Sequence, residues 1–328
     1  MEFGIQFANM EPAALRAHAQ AAEALGYDLL VLPDHLVLEG PERQLDPHSL
    51  AYDMIVIAAL LAEATKKIRI GHLVLCNLFR HPVITAQALM TLDRVSGGRL
   101  LAGLGTGWTE TEFEMTGIAF PPIAERLRML DEALACIISL WTNERTTFAG
   151  EFYRFRDAIL WPKPVQKPRP PIVVGGGGKG LLRIAAKYAD YVNLIPDAGK
   201  RGKNSLENVK RMTDEAFREK ADFVRREAKR LGRNPEAIRL SNFVYTLAIT
   251  DSRDATRKTA EMLGPMLGQT PEGILASPMS LIGTPDECVS ELKHRAKDWG
   301  VSQFIFATIM GVDEKTIRRL REDVIAYV

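Results

Sequence analysis

The sequence predicts an eight-stranded (β/α) barrel of the TIM-barrel class with insertions in its loops, and three observations carry that prediction. Short apolar runs alternate with helical patterns along the whole chain, and eight such runs can be counted. Their apolar residues are consecutive instead of alternating, as in parallel strands covered on both faces. Eight βα units favour closure over an open sheet, and 328 residues suit one barrel spanning 1–328.

In chain order, "FGIQF" (3–7) is the first strand, and Gly26 ends the helix expected over 12–25. "DLLVL" (28–32) precedes a helix at 50–65, "IRIGHLVL" (68–75) one at 83–94, and "LLAGLG" (100–105) one at 125–141. Residues 142–170 break the rhythm as a first insertion. Polar and aromatic residues alternate in "TTFAGEFYRF", which predicts a surface hairpin turning at Ala149-Gly150, and a proline-rich approach to the next strand follows. "PIVVG" (171–175) leads to a helix at 179–188, and "DYVNLI" (190–195) to a second insertion at about 196–210. That stretch is rich in Gly, Lys and Asn and suits a lid, ahead of a helix at 205–231. "RLSNFVYTLAIT" (239–250), a helix at 253–267, and "TPDE" opening a helix at 285–299 with a Thr cap and a first-turn proline come next. "SQFIFA" (302–307) closes the set, followed by a helix near 314–326.

Lys and Arg number 42 against 41 Asp and Glu, a net charge of +1, which gives no electrostatic footprint for nucleic acid. Cys76, Cys136 and Cys288 are odd in number, far apart and without CxxC spacing, so neither a disulfide framework nor a zinc site is expected. The opening "MEFGIQFANMEPAAL" lacks the regions of a secretion signal, and no apolar run nears the roughly 18 residues of a membrane span. The expectation is a soluble cytoplasmic protein that acts on a small organic molecule, with neither nucleic acid nor membrane as partner.

In such barrels the chemistry lies where the strands end. Unusual residues collect there: "PDH" (33–35), "CNLFRHP" (76–82), "GTGW" (105–108) and "GGGGK" (175–179). Free N–H groups in the glycine run, next to a helix N-terminus, suit an anion such as phosphate. The spacing is neither a Walker loop nor a dinucleotide GxGxxG. The packing alternative is a tight turn with positive φ at one or two glycines. Trp108 can wall an apolar pocket, and His35 is a natural proton donor or acceptor, or else a hydrogen-bond partner of a neighbouring loop. No Ser/His/Asp set, HExxH or metal-binding carboxylate cluster stands at usable spacing, so the chemistry is expected from an organic cofactor, with no metal.

Taken together, "VLPDHL" (31–36), "FRHPVITAQALMTLDRVSGGRLLAGLGTGW" (79–108), "ERLRMLDEAL" (125–134), "LWTNERTTFAGEFYRF" (140–155), "PKPVQKPRPPIVVGGGG" (162–178), "AAKYADYVN" (185–193) and "GTPDECVSEL" (283–292) resemble the luciferase-like monooxygenase superfamily. Within it, the chain is most similar to oxidoreductases that use the deazaflavin coenzyme F420. The resemblance implies a homodimer with a flavin-type ring at the C-terminal face of the barrel, and hydride transfer between the deazaflavin and an organic substrate. It puts Asp34 and His35 at the ring, His35 nearest the reactive centre. Leu73, Val74 and Cys76 would pass behind the ring, with a non-proline cis peptide near Leu73-Val74. Gly105, Thr106 and Gly107, with Gly175, Gly176, Gly177 and Gly178, would receive the ribityl and phosphate groups, and Lys179 would add charge or stay solvated. Trp108 and Phe120 are expected to wall the substrate pocket, with Phe243 and Met279 as further candidates, Phe243 reading better as core.

The alternative cofactor is FMN, in a monooxygenase fed by a flavin reductase. FMN-using relatives tend to carry hydroxyl residues where this chain has Gly177 and Gly178. A flavin carrier without turnover is the third reading. Sugar-phosphate dehydrogenases of the F420 group place an acidic proton donor directly after "GTG". Here Trp108 stands there, and Glu110 and Glu112 are expected on a helix pointing elsewhere, so a sugar phosphate is not the expected substrate.

Overall fold

The computed structural model describes residues 1–8, 10–37, 48, 50–198, 206–307 and 313–328. Among these the strands are β1 (Glu2–Gln6), β2 (Leu29–Leu32), β3 (Arg69–His72), β4 (Leu75–Cys76), β5 (Leu100–Gly105), β6 (Thr146–Ala149), β7 (Arg154–Ala158), β8 (Ile172–Gly176), β9 (Tyr191–Leu194), β10 (Arg239–Val244), β11 (Thr246–Ile249), β12 (Ser280–Gly283) and β13 (Val301–Phe306). The helices are α1 (Pro12–Ala24), α2 (Met54–Ala64), α3 (Pro82–Val95), α4 (Glu110–Thr116), α5 (Ile123–Thr142), α6 (Lys179–Tyr188), α7 (Leu206–Lys210), α8 (Asp214–Arg230), α9 (Arg253–Met266), α10 (Pro271–Leu275), α11 (Pro285–Trp299) and α12 (Glu314–Asp323).

Eight strands close a parallel barrel in the order β1-β2-β3-β5-β8-β9-β10-β13, with β13 pairing back to β1. Every residue of β2 and β5 is buried, which is why these runs read as continuously apolar. The helices around the barrel have local causes. Pro12 and Pro82 start α1 and α3, and Asp53 caps α2 by accepting the N–H groups of Ile55 and Val56. Thr284 and Glu287 form a reciprocal capping box on α11.

The structure changes the expected outline in a few places. The third run divides at Leu73–Val74, whose peptide is cis at the expected position, and only Leu75–Cys76 resumes pairing, with β5. The seventh run divides at Tyr245. The N–H groups of Tyr245 and Thr246 both donate to Met279 O, and β11 leaves the barrel to pair with β12, a four-residue strand too short for its apolar pattern to stand out. The helix expected over 205–231 is two helices, because Thr213 caps a new start at α8. The helix expected to carry Glu110 and Glu112 is the short α4, and the short helix α10 was outside the expected set.

The insertion hairpin forms as β6 and β7, joined by residues 150–153. Its turn is held by the Glu132 carboxylate, which accepts the N–H groups of Glu151, Phe152 and Tyr153. Residues 199–205, the middle of the segment read as a lid, lie outside the described residues. No helix among the described residues is long and apolar enough to cross a membrane.

Candidate active site

The strand ends meet at one cleft of about 770 Å³ at the C-terminal mouth of the barrel, within the size range of small-molecule and cofactor sites. Asp34, His35, Leu73, Val74, Cys76, Gly105, Thr106, Gly107, Trp108 and Gly175 to Gly178 all line it. The barrel thus gathers residues from four separate βα loops. Phe120 does not join them: it stacks on Phe113 at 4.4 Å, and the Arg126 guanidinium lies 3.9 Å over its ring, so its aromatic faces are taken by packing. Phe243 is buried in the hydrophobic core, as expected, and also lines the cleft, whereas Met279 is buried away from it.

Asp34 is 6% exposed, and its carboxylate is committed to neighbours. Oδ2 accepts the Cys76 N–H at 2.9 Å and Arg80 Nη1 at 2.8 Å, while Oδ1 accepts Arg80 Nη2 at 3.1 Å. Arg80, from the "FRHP" stretch, also reaches Asp53 at 3.0 Å. Burial disfavours the Arg80 charge, but its bonds to Asp34 and Asp53 outweigh that and raise its pKa. The same partnership holds Asp53 below the usual carboxylate range, although burial there pulls the other way. Planar, bidentate pairing of this kind fixes geometry as well as charge. The loop that presents His35 is thereby tied to the chain behind the cleft through Cys76. Burial pushes the Cys76 thiol up to about 12, so it stays protonated and unreactive.

His35 stands beside this pair with its side chain 23% exposed. Its ring meets Trp108 edge to face, with centroids 5.6 Å apart and planes at 80°. Its Nδ1 lies 3.2 Å from both carboxylate oxygens of Glu112. This corrects the expectation that Glu112 points elsewhere. Thr109 precedes the short helix α4, whose first turn turns Glu112 inward to a side chain only 3% exposed. Nothing in the residue pattern marks that inward turn, because a seven-residue helix is too short to show an amphipathic period.

On the opposite wall the glycine run takes neither of its expected forms in full. None of Gly175 to Gly178 has positive φ, so turn geometry does not explain them. Close packing explains two. A Cβ on Gly177 would fall 2.2 Å from Ile195 O and one on Gly176 would fall 1.9 Å from Leu181 Cδ2. Positive φ does occur across the cleft at Gly107 (φ +72°), where a Cβ would also meet Cys76 Sγ at 2.7 Å.

Gly178 leads into α6 without any side-chain cap, so the first-turn N–H groups of a ten-residue helix lack a capping side chain where Gly178 and Gly180 line the cleft. Lys179 is exposed and outside the lining, whereas Lys220 of α8, absent from the sequence reading, donates to Gly177 O at 2.6 Å. Burial lowers the Lys220 pKa. The sequence reading also missed Thr109. It lines the cleft at 3% exposure, and its hydroxyl has no hydrogen-bond partner among the described residues. Among the described residues no cluster of His, Cys, Asp or Glu stands ready for a metal.

Fold and cleft together define a (β/α) barrel whose candidate site lies at the C-terminal ends of its strands, where such barrels carry their chemistry. The chain matches the luciferase-like monooxygenase family model over residues 2–303 and belongs to that family. It is 26% identical over 327 residues to the F420-dependent glucose-6-phosphate dehydrogenase of Amycolatopsis mediterranei strain U-32, an alignment covering 96% of this chain and 94% of that one. It is 27% identical over 212 residues to the FMNH2-dependent dimethylsulfone monooxygenase of Pseudomonas putida, covering 65% and 53%. The solved structure of the coenzyme F420-dependent tetrahydromethanopterin reductase of Methanopyrus kandleri has the same fold, with a TM-score of 0.77 at 21% identity and 99% of each chain covered.

Proposed function

We propose that this chain is an F420-dependent oxidoreductase acting on a small organic substrate. The observation that carries the reading is the cleft itself. It pairs a histidine backed by a buried carboxylate with side-chain-free backbone at an uncapped helix start, and the relative matched along its length is F420-dependent. The residues present fit such a group. The unpartnered Thr109 hydroxyl is a buried polar atom of the kind a ligand satisfies, and Gly178 with the first turn of α6 offers donors to an anion. Leu73 and Val74 would back the ring, while Gly105 to Gly107 and Gly175 to Gly178 would take its ribityl and phosphate portion.

Coenzyme F420 would supply the hydride chemistry that the side chains lining the cleft lack. His35 would exchange a proton with the substrate. Trp108, Ile123, Leu127 and Phe243 would exclude water from the reacting atoms.

No Lys or Arg lines the cleft among the described residues, and the carboxylate of Glu112 stands at the His35 end, which favours an uncharged substrate there over a sugar phosphate. The FMN-dependent alternative has support in the Pseudomonas putida relative. A homodimer would cover exposed apolar side chains such as Val56, Ile84, Ile159 and Trp161, and sedimentation of the purified chain reads that directly. A cytoplasmic setting agrees with three unpaired, buried cysteines.

The test is a turnover screen with F420 against uncharged alcohols and against glucose 6-phosphate, following loss of the cofactor's absorbance. Reduction of F420 by an uncharged alcohol is expected. Reduction by glucose 6-phosphate alone would overturn the substrate class, and turnover only with reduced FMN and oxygen would overturn the F420 dependence.

A further inference from the structure

The Glu112 carboxylate is buried, and its bonds run to one loop. Oε1 accepts the Leu36 N–H at 2.6 Å and the Val37 N–H at 3.5 Å, and both oxygens lie 3.2 Å from His35 Nδ1. An ionised carboxylate only accepts hydrogen bonds, so Nδ1 must carry the hydrogen that points at it. A neutral imidazole has one N–H, and placing it on Nδ1 leaves Nε2 bare. His35 lines the cleft, and its Nε2 has no bond to any described residue.

We propose that Glu112 is a positioning residue that locks His35 as the Nδ1–H tautomer and so makes Nε2 the atom that exchanges a proton with a ligand in the cleft. The tautomer stands independently of the cofactor's identity; its consequence for rate rests on the oxidoreductase reading above. The charges near the ring support the assignment. Asp34, the residue before His35, is held by Arg80 and the Cys76 N–H, which leaves Glu112 as the carboxylate that receives the imidazole. Trp108 meets the ring edge to face, which limits its rotation away from Glu112.

The Leu36 bond makes the proposal sharply testable with Glu112→Gln. The short Leu36 N–H contact claims the single amide oxygen, so the amide NH2 turns toward His35 Nδ1. Nδ1 then faces a donor at the position of Oε2, 3.2 Å away, which favours acceptance there and moves the ring hydrogen to Nε2. A substitution that keeps size and shape thus reverses the tautomer.

The measurement is long-range 1H–15N NMR of the histidine-labelled protein without cofactor, at about pH 8, where an ordinary imidazole is neutral. Of the 6 histidines, His35 is identified by the signals that His35→Asn removes. The wild-type ring is expected to show a protonated Nδ1 and an unprotonated Nε2, and Glu112→Gln the opposite pattern. A wild-type ring protonated at Nε2, or averaged over both nitrogens, would overturn the lock. So would a Gln variant with the wild-type pattern. If that variant fails to fold, the wild-type spectrum alone decides.

For the rate consequence, F420 affinity of Glu112→Gln should stay within about threefold of wild type while kcat falls by about 10²-fold or more, as expected when a catalytic histidine is held in the wrong tautomer. An unchanged kcat with a reversed tautomer would remove Nε2 from proton transfer. Failure of the wild type to bind F420 at all would instead strike the functional reading and leave the tautomer result standing.

Discussion

On the β2 side of the cleft, side chains hold one another: Asp34 grips Arg80, Arg80 reaches Asp53, and Glu112 receives His35. On the β8 side there are no side chains to do so. Gly175 to Gly178 present main chain, backed by Ile195 O, Leu181 and the Lys220 ammonium. The first wall sets charge and proton position, and the second sets shape and distance. The difference teaches that two conspicuous sequence features of one site, a polar motif and a glycine run, answer to different physics and should fail in different ways when changed.

The largest effect belongs to the charged wall. His35→Ala should slow F420 reduction by about 10²- to 10⁴-fold, the usual worth of a positioned proton-transfer group, with F420 affinity nearly unchanged. Equal losses in affinity and rate would make His35 a binding residue and blur the contrast. Next, Arg80→Leu leaves the Asp34 carboxylate, 4% exposed, without its cation. Removing one partner of a buried pair costs about 3–5 kcal/mol, which denaturant titration reads as an earlier midpoint.

The glycine wall should respond to size alone. Gly177→Ala, with its Cβ 2.2 Å from a backbone carbonyl, should destabilise by about 1–3 kcal/mol and weaken F420 binding. Gly178→Ala has extended backbone at φ −79° and meets the Asp197 carboxylate at 3.2 Å, so it should lose less than about 1 kcal/mol. Equal penalties at the two positions would contradict the steric account. The smallest effect falls on Thr109, between the walls. Thr109→Val should weaken F420 binding by about fivefold, the loss of one neutral hydrogen bond, while leaving the melting temperature level or higher because an unpaired buried hydroxyl has gone. A lowered melting temperature with unchanged affinity would make that hydroxyl structural.

The barrel was legible because strands such as β2 and β5 are buried on both faces and therefore write continuous apolar runs. β12 was not, since a four-residue strand that pairs outside the barrel with β11 carries no such run. Asp34, His35 and the glycines were legible as residue types at strand ends. Their partners were not. Arg80 lies 46 residues from Asp34, Glu112 lies 77 from His35 and Lys220 lies 43 from Gly177, so no local spacing links them. The glycine run drew attention as an anion loop with a turn-geometry alternative. Its steric cause depends on Ile195, a neighbour that only the barrel brings near.

The central claim is that this cleft is built for a deazaflavin, and parallel calorimetric titrations of the wild-type protein with F420 and with FMN test it most directly. The account predicts micromolar or tighter binding of F420 and much weaker binding of FMN. Tight FMN binding with weak F420 binding would contradict it and move the protein to the flavin monooxygenases, and binding of neither would remove the anion-binding role of the glycine wall.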